Sequence, residues 1–530
     1  HEAAVTMAAP LAPGATVALD LTYAGTIAPS AQRLTALGAP QDVALHSDWD
    51  QVGLDFTGLR GFGNVVWYPV SSVPVILGDG ARLFDEIGRL KLRSENTGFR
   101  LRLTCEFPRG QAPAIALVNG HPAPLTLIEP PAASGELSSF ATANFAQPAL
   151  GFNAPSLFVA VRAPAQSANA TLWTLPEDAP AAATWSAAAT AVTPFLENWL
   201  GPHPRSALTV LDLPDPADAP FETGALLAAP VNTGPVNSGP TDAGNGNQDA
   251  ANFDAHLQEI LLHALTHAWL SAPAQPRPAW LDEGVAAFMG TLWLEKLEGR
   301  TRALESLEAD RQALALAEPA SPGEAVGQPL REASAPVYYR TKAAYVFWML
   351  RDLAGDAALS AALSGYNPAD DNNSSGPGTF EKLIESNSGE SSSGLDLRWL
   401  FSDWVDADKG LPDIAIDHVA AASVSAGAPG SSPSATAETG SGNILVAVDL
   451  SNSGYAAAEI PVTVRTTETS VTQRVLVPAR GKITRRILVQ GTPTQVQAND
   501  GSIPETEASV HITTLNNAGA PSPGNPGTPR

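Results

Sequence analysis

The chain of 530 residues holds one cysteine, Cys105, so an internal disulfide framework is excluded. Cys105 sits in the alternating run Arg100-Leu-Arg-Leu-Thr-Cys-Glu106, where a small hydrophobe of a strand is expected rather than a nucleophile. Cations are also scarce, with 30 Lys and Arg against 54 Asp and Glu, a net charge of −24 and a pI near 4.7. A surface so charged repels nucleic-acid phosphates and anionic membranes, which argues against both as partners. Aromatics make up 6% of residues, and no run of 18 apolar residues occurs, so nothing reads as a membrane span. What is present is a globular composition, 44% hydrophobic with 16% charged, at a length that suggests about three domains.

From about Thr16 to Trp173 the sequence is strand-like. Short alternating runs such as Thr16–Thr22, Phe99–Thr104 and Ser156–Val161 are separated by Pro, Gly and Asn clusters, which predicts a β-sheet domain over 1–183. Near Thr184–Leu200 the period becomes helical, with Thr193 as a candidate N-cap before Pro194. Strands are expected at Ser206–Leu213 and Phe221–Pro230, followed by helices near Asp254–Leu270, Leu281–Gly299, Arg300–Leu316 and Val337–Leu353. This strand-then-helices lobe spans 184–420. The stretches 232–247, 367–378 and 386–394 read as polar loops, and 421–442 as a low-complexity linker. Further strands over 443–515 predict a β-sandwich, and 516–530 a disordered tail. The fold class expected is therefore multidomain α+β. The chain opens His1-Glu2-Ala3 without an initiator methionine, as after removal of a leader, which predicts a secreted or periplasmic protein.

The pattern richest in chemistry is His263-Ala-Leu-Thr-His267, followed sixteen positions later by Glu283 within Trp280-Leu-Asp-Glu-Gly284. Histidines four apart share one helix face, so both imidazoles reach one ion. A carboxylate from the next helix, Glu283, completes a three-ligand zinc site with an open fourth position. In the His-Glu-x-x-His pattern of zinc hydrolases the residue after the first histidine is the general base for the metal-bound water. Here that position is Ala264. The alternative is a helix with two non-ligand histidines. Glu259, one turn before His263, and Asp282, beside Glu283, are candidates to hydrogen-bond the metal ligands, although Asp282 is expected to point to another side of its helix.

Together with Phe195–Pro204, Val337–Leu350, Leu395–Val405 and Gly410–Asp413, these residues resemble a gluzincin metallopeptidase of the aminopeptidase N type, in order along 16–515. The resemblance implies an N-terminal β-sheet domain, a thermolysin-like catalytic domain and a C-terminal β-sandwich. It also implies Zn2+ held by His263, His267 and Glu283, with peptide, protein or glycoprotein substrates. The family's oxyanion-stabilising tyrosine falls near Tyr339, with Tyr338 as an alternative, although alignment through Lys342-Ala343 puts Arg340 at that position. The family's Gly-x-Met-Glu-Asn strand corresponds to Phe221–Pro230, where Gly224 and Ala225 fit and Leu227 stands at the amine-binding glutamate. Glu222 is the nearby substitute for that glutamate, against the plainer reading of a solvent-facing strand charge.

Two functional expectations follow. One is a zinc peptidase architecture that is inactive or substrate-trapping as written, because Ala264 replaces the base. The other is a natural pseudopeptidase that binds peptides or glycopeptides without cleaving them.

Overall fold

The computed structural model describes the chain except residues 1–5, 63–65, 71–79, 132–134, 167–168, 233–245, 272–276, 320–326, 370–378, 390–394, 425–442 and 516–530, and except the side chains of 80–84 and 246–253. The expected tail, most of the expected linker and most of the expected polar loops lie outside the described residues. Within them the fold is α+β, with five sheets and a central group of helices.

Before residue 160 the chain builds two antiparallel sheets. One has five strands in the order Gln51–Val52, Phe56–Leu59, Leu157–Ala160, Ile115–Val118, His121–Pro122. The other pairs Phe99–Pro108 with Ser138–Gln147 and Thr126–Ile128. Cys105 lies half-buried on the long strand of this second sheet, with burial pushing its thiol up. Two expectations fail here. Thr16–Thr22 forms no strand, and Val17, Leu19 and Leu21 are exposed, so its alternation has no sheet to pack on. Gly80–Ser94, within the stretch read as β, is a helix. It packs closely at Gly88, where an added Cβ would stand 1.8 Å from the Ser334 carbonyl oxygen, and Ser334 Oγ donates to Asp85 at 3.0 Å.

A third sheet lies under the motif. Its order is Phe221–Thr223, Leu226–Ala229, Leu208–Asp212, Ala170–Thr174, Ala163–Gln166, with the two central pairings parallel. It takes in two strands that precede residue 184. Leu208, Val210, Leu227 and Ala229 face the helices Ala182–Leu200 and Gly246–Leu270 in one core with Leu257, Leu261 and Leu265. The first of these helices runs straight through Pro194, so Thr193 is not an N-cap; its hydroxyl donates back to the Ala189 carbonyl at 2.8 Å. The buried stripe Trp185, Ala189, Val192 and Leu196 holds the helix continuous across the missing amide.

Helices Ala279–Glu298, Arg300–Ala317 and Ala343–Ala354 complete the central group. Beyond them, a three-stranded sheet (Ile414–Ser423, Asn443–Asn452, Lys482–Gln490) and a four-stranded sheet (Ser470–Val477, Ala458–Thr466, Pro493–Ala498, His511–Thr514) share a core of Val446, Val448, Ile460, Val462 and Ile487. The four-stranded sheet is pinned to the helices through Asp352, which accepts from Arg300 at 2.7 Å and from Arg474 at 3.3 Å.

Candidate metal centre

The helix Gly246–Leu270 buries Leu261, Leu262, Leu265 and Ala268, which leaves His263 and His267 together on the stripe that faces the sheet edge and the next helix. Their ring centroids are 4.9 Å apart. Ala264 lies between them in sequence and is fully buried.

Each histidine is held by its own carboxylate. Glu222, on the edge strand Phe221–Thr223, has Oε2 2.7 Å from His263 Nδ1. The strand's alternation explains the delivery, because Phe221 packs on Phe62 and Phe158 on the opposite face. Asp282, in the first turn of Ala279–Glu298, has Oδ1 3.0 Å from His267 Nδ1. An Nδ1–H donated to a carboxylate fixes the tautomer and leaves the Nε2 lone pair of that ring for a metal. Glu222 is not a solvent-facing strand charge, since its Oε2 is on His263, and Asp282, the expected partner of a ligand histidine, points to His267 and not to another side of its helix. Glu259 is exposed and, among the described residues, has no hydrogen bond to either histidine.

Glu283 stands beside this pair, but its Oε2 accepts from Nε and Nη2 of Arg340, both at 2.7 Å. Arg340 comes from a π-helical turn, Val337–Lys342. That turn packs against Glu283's helix at Gly284, where an added Cβ would stand 3.1 Å from the Tyr339 carbonyl oxygen and 2.5 Å from Cβ of Ala343, the first residue of the next helix. A side chain at 284 would hold the two elements apart. Tyr339 is buried against Phe152, ring centroids 5.1 Å apart, and burial followed by the Glu283 charge pushes its hydroxyl up to about 12. Tyr338 faces elsewhere. Its hydroxyl donates to the Ala317 carbonyl, and Lys342, paired with Glu318 and Asp408 at 2.9 Å each, lies over its ring.

The charges of the site act on one another. Burial would raise the Glu283 carboxyl, but Arg340, then His267, His263 and Lys91, outweigh it and hold the group at about 2. Burial would lower His267, yet Asp282, then Glu283 and Glu222, hold it up to about 9. Glu222 is likewise lowered, its burial outweighed by the hydrogen bond from His263 and the charges of both histidines. Lys91, from the helix Gly80–Ser94, lines the same cavity as Glu222, His267 and Glu283, and burial pushes its ammonium down.

Among the described residues, Glu222, His263 and His267 place one ligand atom each within 4.8 Å of one another, as do His46, Asp215 and Asp218 elsewhere. The first group fits a metal better, because imidazoles oriented by carboxylates are donors of the kind zinc takes. The turn residue Gly224 has φ +53°, and its neighbour Ala225 is buried. Leu227 lies fully buried on the inner strand Leu226–Ala229, and the strand of Glu222 forms the sheet edge beside it, at His263.

No protein family's model matches the chain, and no curated protein matches it. The solved structure of Legionella pneumophila aminopeptidase A in complex with aspartic acid is similar over 76% of this chain, with 14% sequence identity and a TM-score of 0.49. The chain spans 43% of that protein's length.

Proposed function

We propose that this chain has the architecture of a zinc-dependent peptide hydrolase whose general base is missing. As written, it holds metal and peptide and cleaves slowly or not at all. The observation that carries this reading is the matched pair of hydrogen bonds, Glu222 to His263 and Asp282 to His267, which prepares two imidazoles for one ion. A bound zinc ion lowers the pKa of its water to about 7 and polarises a substrate carbonyl. The chain's own residues do the rest. His263 and His267 hold the ion, Glu222 and Asp282 orient them, and Glu283 is the third donor. The edge strand Phe221–Thr223 offers its outer side to an extended peptide, which sets backbone register by strand addition. Tyr339, beside Glu283, is the hydroxyl available to an oxyanion.

At position 264 a methyl group replaces the carboxylate that would take the proton of the attacking water. General acid–base assistance contributes about 10²- to 10⁴-fold, or roughly 3 to 5 kcal/mol of barrier. Zinc binding does not depend on that residue.

A second reading, a pseudopeptidase that binds peptides or glycopeptides, is favoured by one observation: Arg340 is paired with Glu283. One experiment separates the two. The chain and its Ala264→Glu variant, both zinc-loaded, are incubated with a peptide and glycoprotein mixture, and new termini are read by mass spectrometry. Cleavage by the variant alone supports the hydrolase reading. Failure of both to cut, with zinc held by both, rejects it in favour of the pseudopeptidase.

A further inference from the structure

Glu283 is paired with Arg340. Both guanidinium contacts fall on Oε2 at 2.7 Å, and among the described residues Glu283 does not belong to the group whose ligand atoms lie close together at His263 and His267. The arginine is delivered by a constrained element. A π-helical turn alters which side chains face a neighbouring helix, and this turn is seated against Glu283's helix at the Gly284 contact. Lys91 and Arg60 put further cations on the cavity that Glu283 lines. A guanidinium seated on this carboxylate repels a dication drawn to the same group at contact distance, and so weakens the hold of Glu283 on an ion. The Arg340 side chain is 49% exposed, so it has solvent to move into when it releases Glu283.

We propose that Arg340 is an internal competitor for the metal. In one state of the site the guanidinium occupies Glu283; in the other Glu283 turns to an ion on His263 and His267, and Arg340 extends into solvent. The protein's affinity for divalent zinc is thus set by an ion pair of its own chain. This rests on the metal-binding reading above and goes beyond it, because it makes Arg340 the residue that attenuates binding.

The test is zinc(II) affinity, measured by competition with a chromophoric chelator, for the full chain and for Arg340→Met, Glu283→Gln and the double variant. Methionine keeps the length of the side chain without its charge, and the half-exposed position tolerates it. Competition predicts that Arg340→Met binds zinc roughly 10- to 100-fold more tightly, the equivalent of one charge-assisted hydrogen-bonded pair. Glu283→Gln should change affinity less than about three-fold while Arg340 is present. In the Arg340→Met background it should cost about ten-fold or more.

Unchanged affinity in Arg340→Met overturns the proposal, as does an equal cost of Glu283→Gln in both backgrounds; zinc bound by the parent chain in that case leaves the metal reading standing. Zinc bound by none of the four proteins overturns both. If Arg340 serves only to hold the fold together, Arg340→Met lowers the melting temperature without tightening zinc, which also refutes competition.

Discussion

Replacing Glu222 tests how the candidate centre is assembled. Its carboxylate is half-buried on a sheet edge and meets His263 Nδ1 at 2.7 Å, so Glu222→Ala leaves an imidazole with no fixed tautomer. Loss of a carboxylate that orients a ligand histidine costs about 10- to 100-fold in metal affinity. Glu222→Gln keeps an acceptor but loses the charge, and should cost roughly ten-fold or less. Asp282→Ala acts on the other ring, at 3.0 Å, and should cost a similar 10- to 100-fold; because both rings serve one ion and Glu222 also acts on His267, the double variant should depart from the product of the two losses. Zinc affinity by chelator competition gives the magnitudes, and 15N NMR of the imidazoles gives the mechanism. In the metal-free parent both rings should carry a proton on Nδ1, and Glu222→Ala should free the Nδ1 proton of His263 while His267 keeps its own on Asp282. A Glu222→Ala protein that binds zinc as tightly as the parent, or a parent whose His263 lacks the Nδ1 proton, refutes the reasoning.

Gly88→Ala should destabilise the protein by about 1 to 3 kcal/mol, read by chemical denaturation, because the new Cβ would press on the Ser334 backbone and lift the helix that carries Lys91. Burial, helped by Asp408, pushes the Glu318 carboxyl up to about 8, while hydrogen bonds from Glu318 and Lys342 outweigh burial and hold Asp408 down. The folded protein thus keeps a proton on Glu318 that the unfolded chain releases above about 4.5, so the contribution of Glu318 to stability should be fully present at acid pH and be lost as pH rises from about 4.5 through about 8, by up to about 1.4 kcal/mol per unit. Glu318→Gln should flatten that slope in melts from pH 5 to 8.5, and an unchanged slope places the titration elsewhere. Ala264→Glu introduces a carboxylate at a fully buried position and should lower metal-free stability by about 1 to 3 kcal/mol, with zinc restoring part of it.

The histidine pair was legible because a helix repeats every 3.6 residues, so spacing alone places His263 and His267 on one stripe. Glu283 was legible for the same reason, as the first turn of the following helix. Glu222 reaches His263 across 41 residues of chain by way of a sheet edge, a juxtaposition that no local pattern encodes. Asp282 was misread from the turn of about 100° between neighbouring helical residues. In a first turn beside a second helix, Asp282 meets the edge of the His267 ring while Glu283 meets Arg340. Arg340 itself was set against the tyrosine position by alignment, but its pairing depends on a π-helical turn that residue type does not announce. The helix of Lys91 does carry a sequence signal, since Leu83, Ile87 and Leu90 recur at helical spacing inside a region otherwise dominated by strand alternation.

The most direct test of the central claim is a crystal of the zinc-soaked protein measured on both sides of the zinc absorption edge. The account requires an anomalous peak at bonding distance from Nε2 of both His263 and His267, with Glu222 and Asp282 still on the Nδ1 atoms. A peak confined to His46, Asp215 and Asp218, or no peak at full soaking, would contradict it.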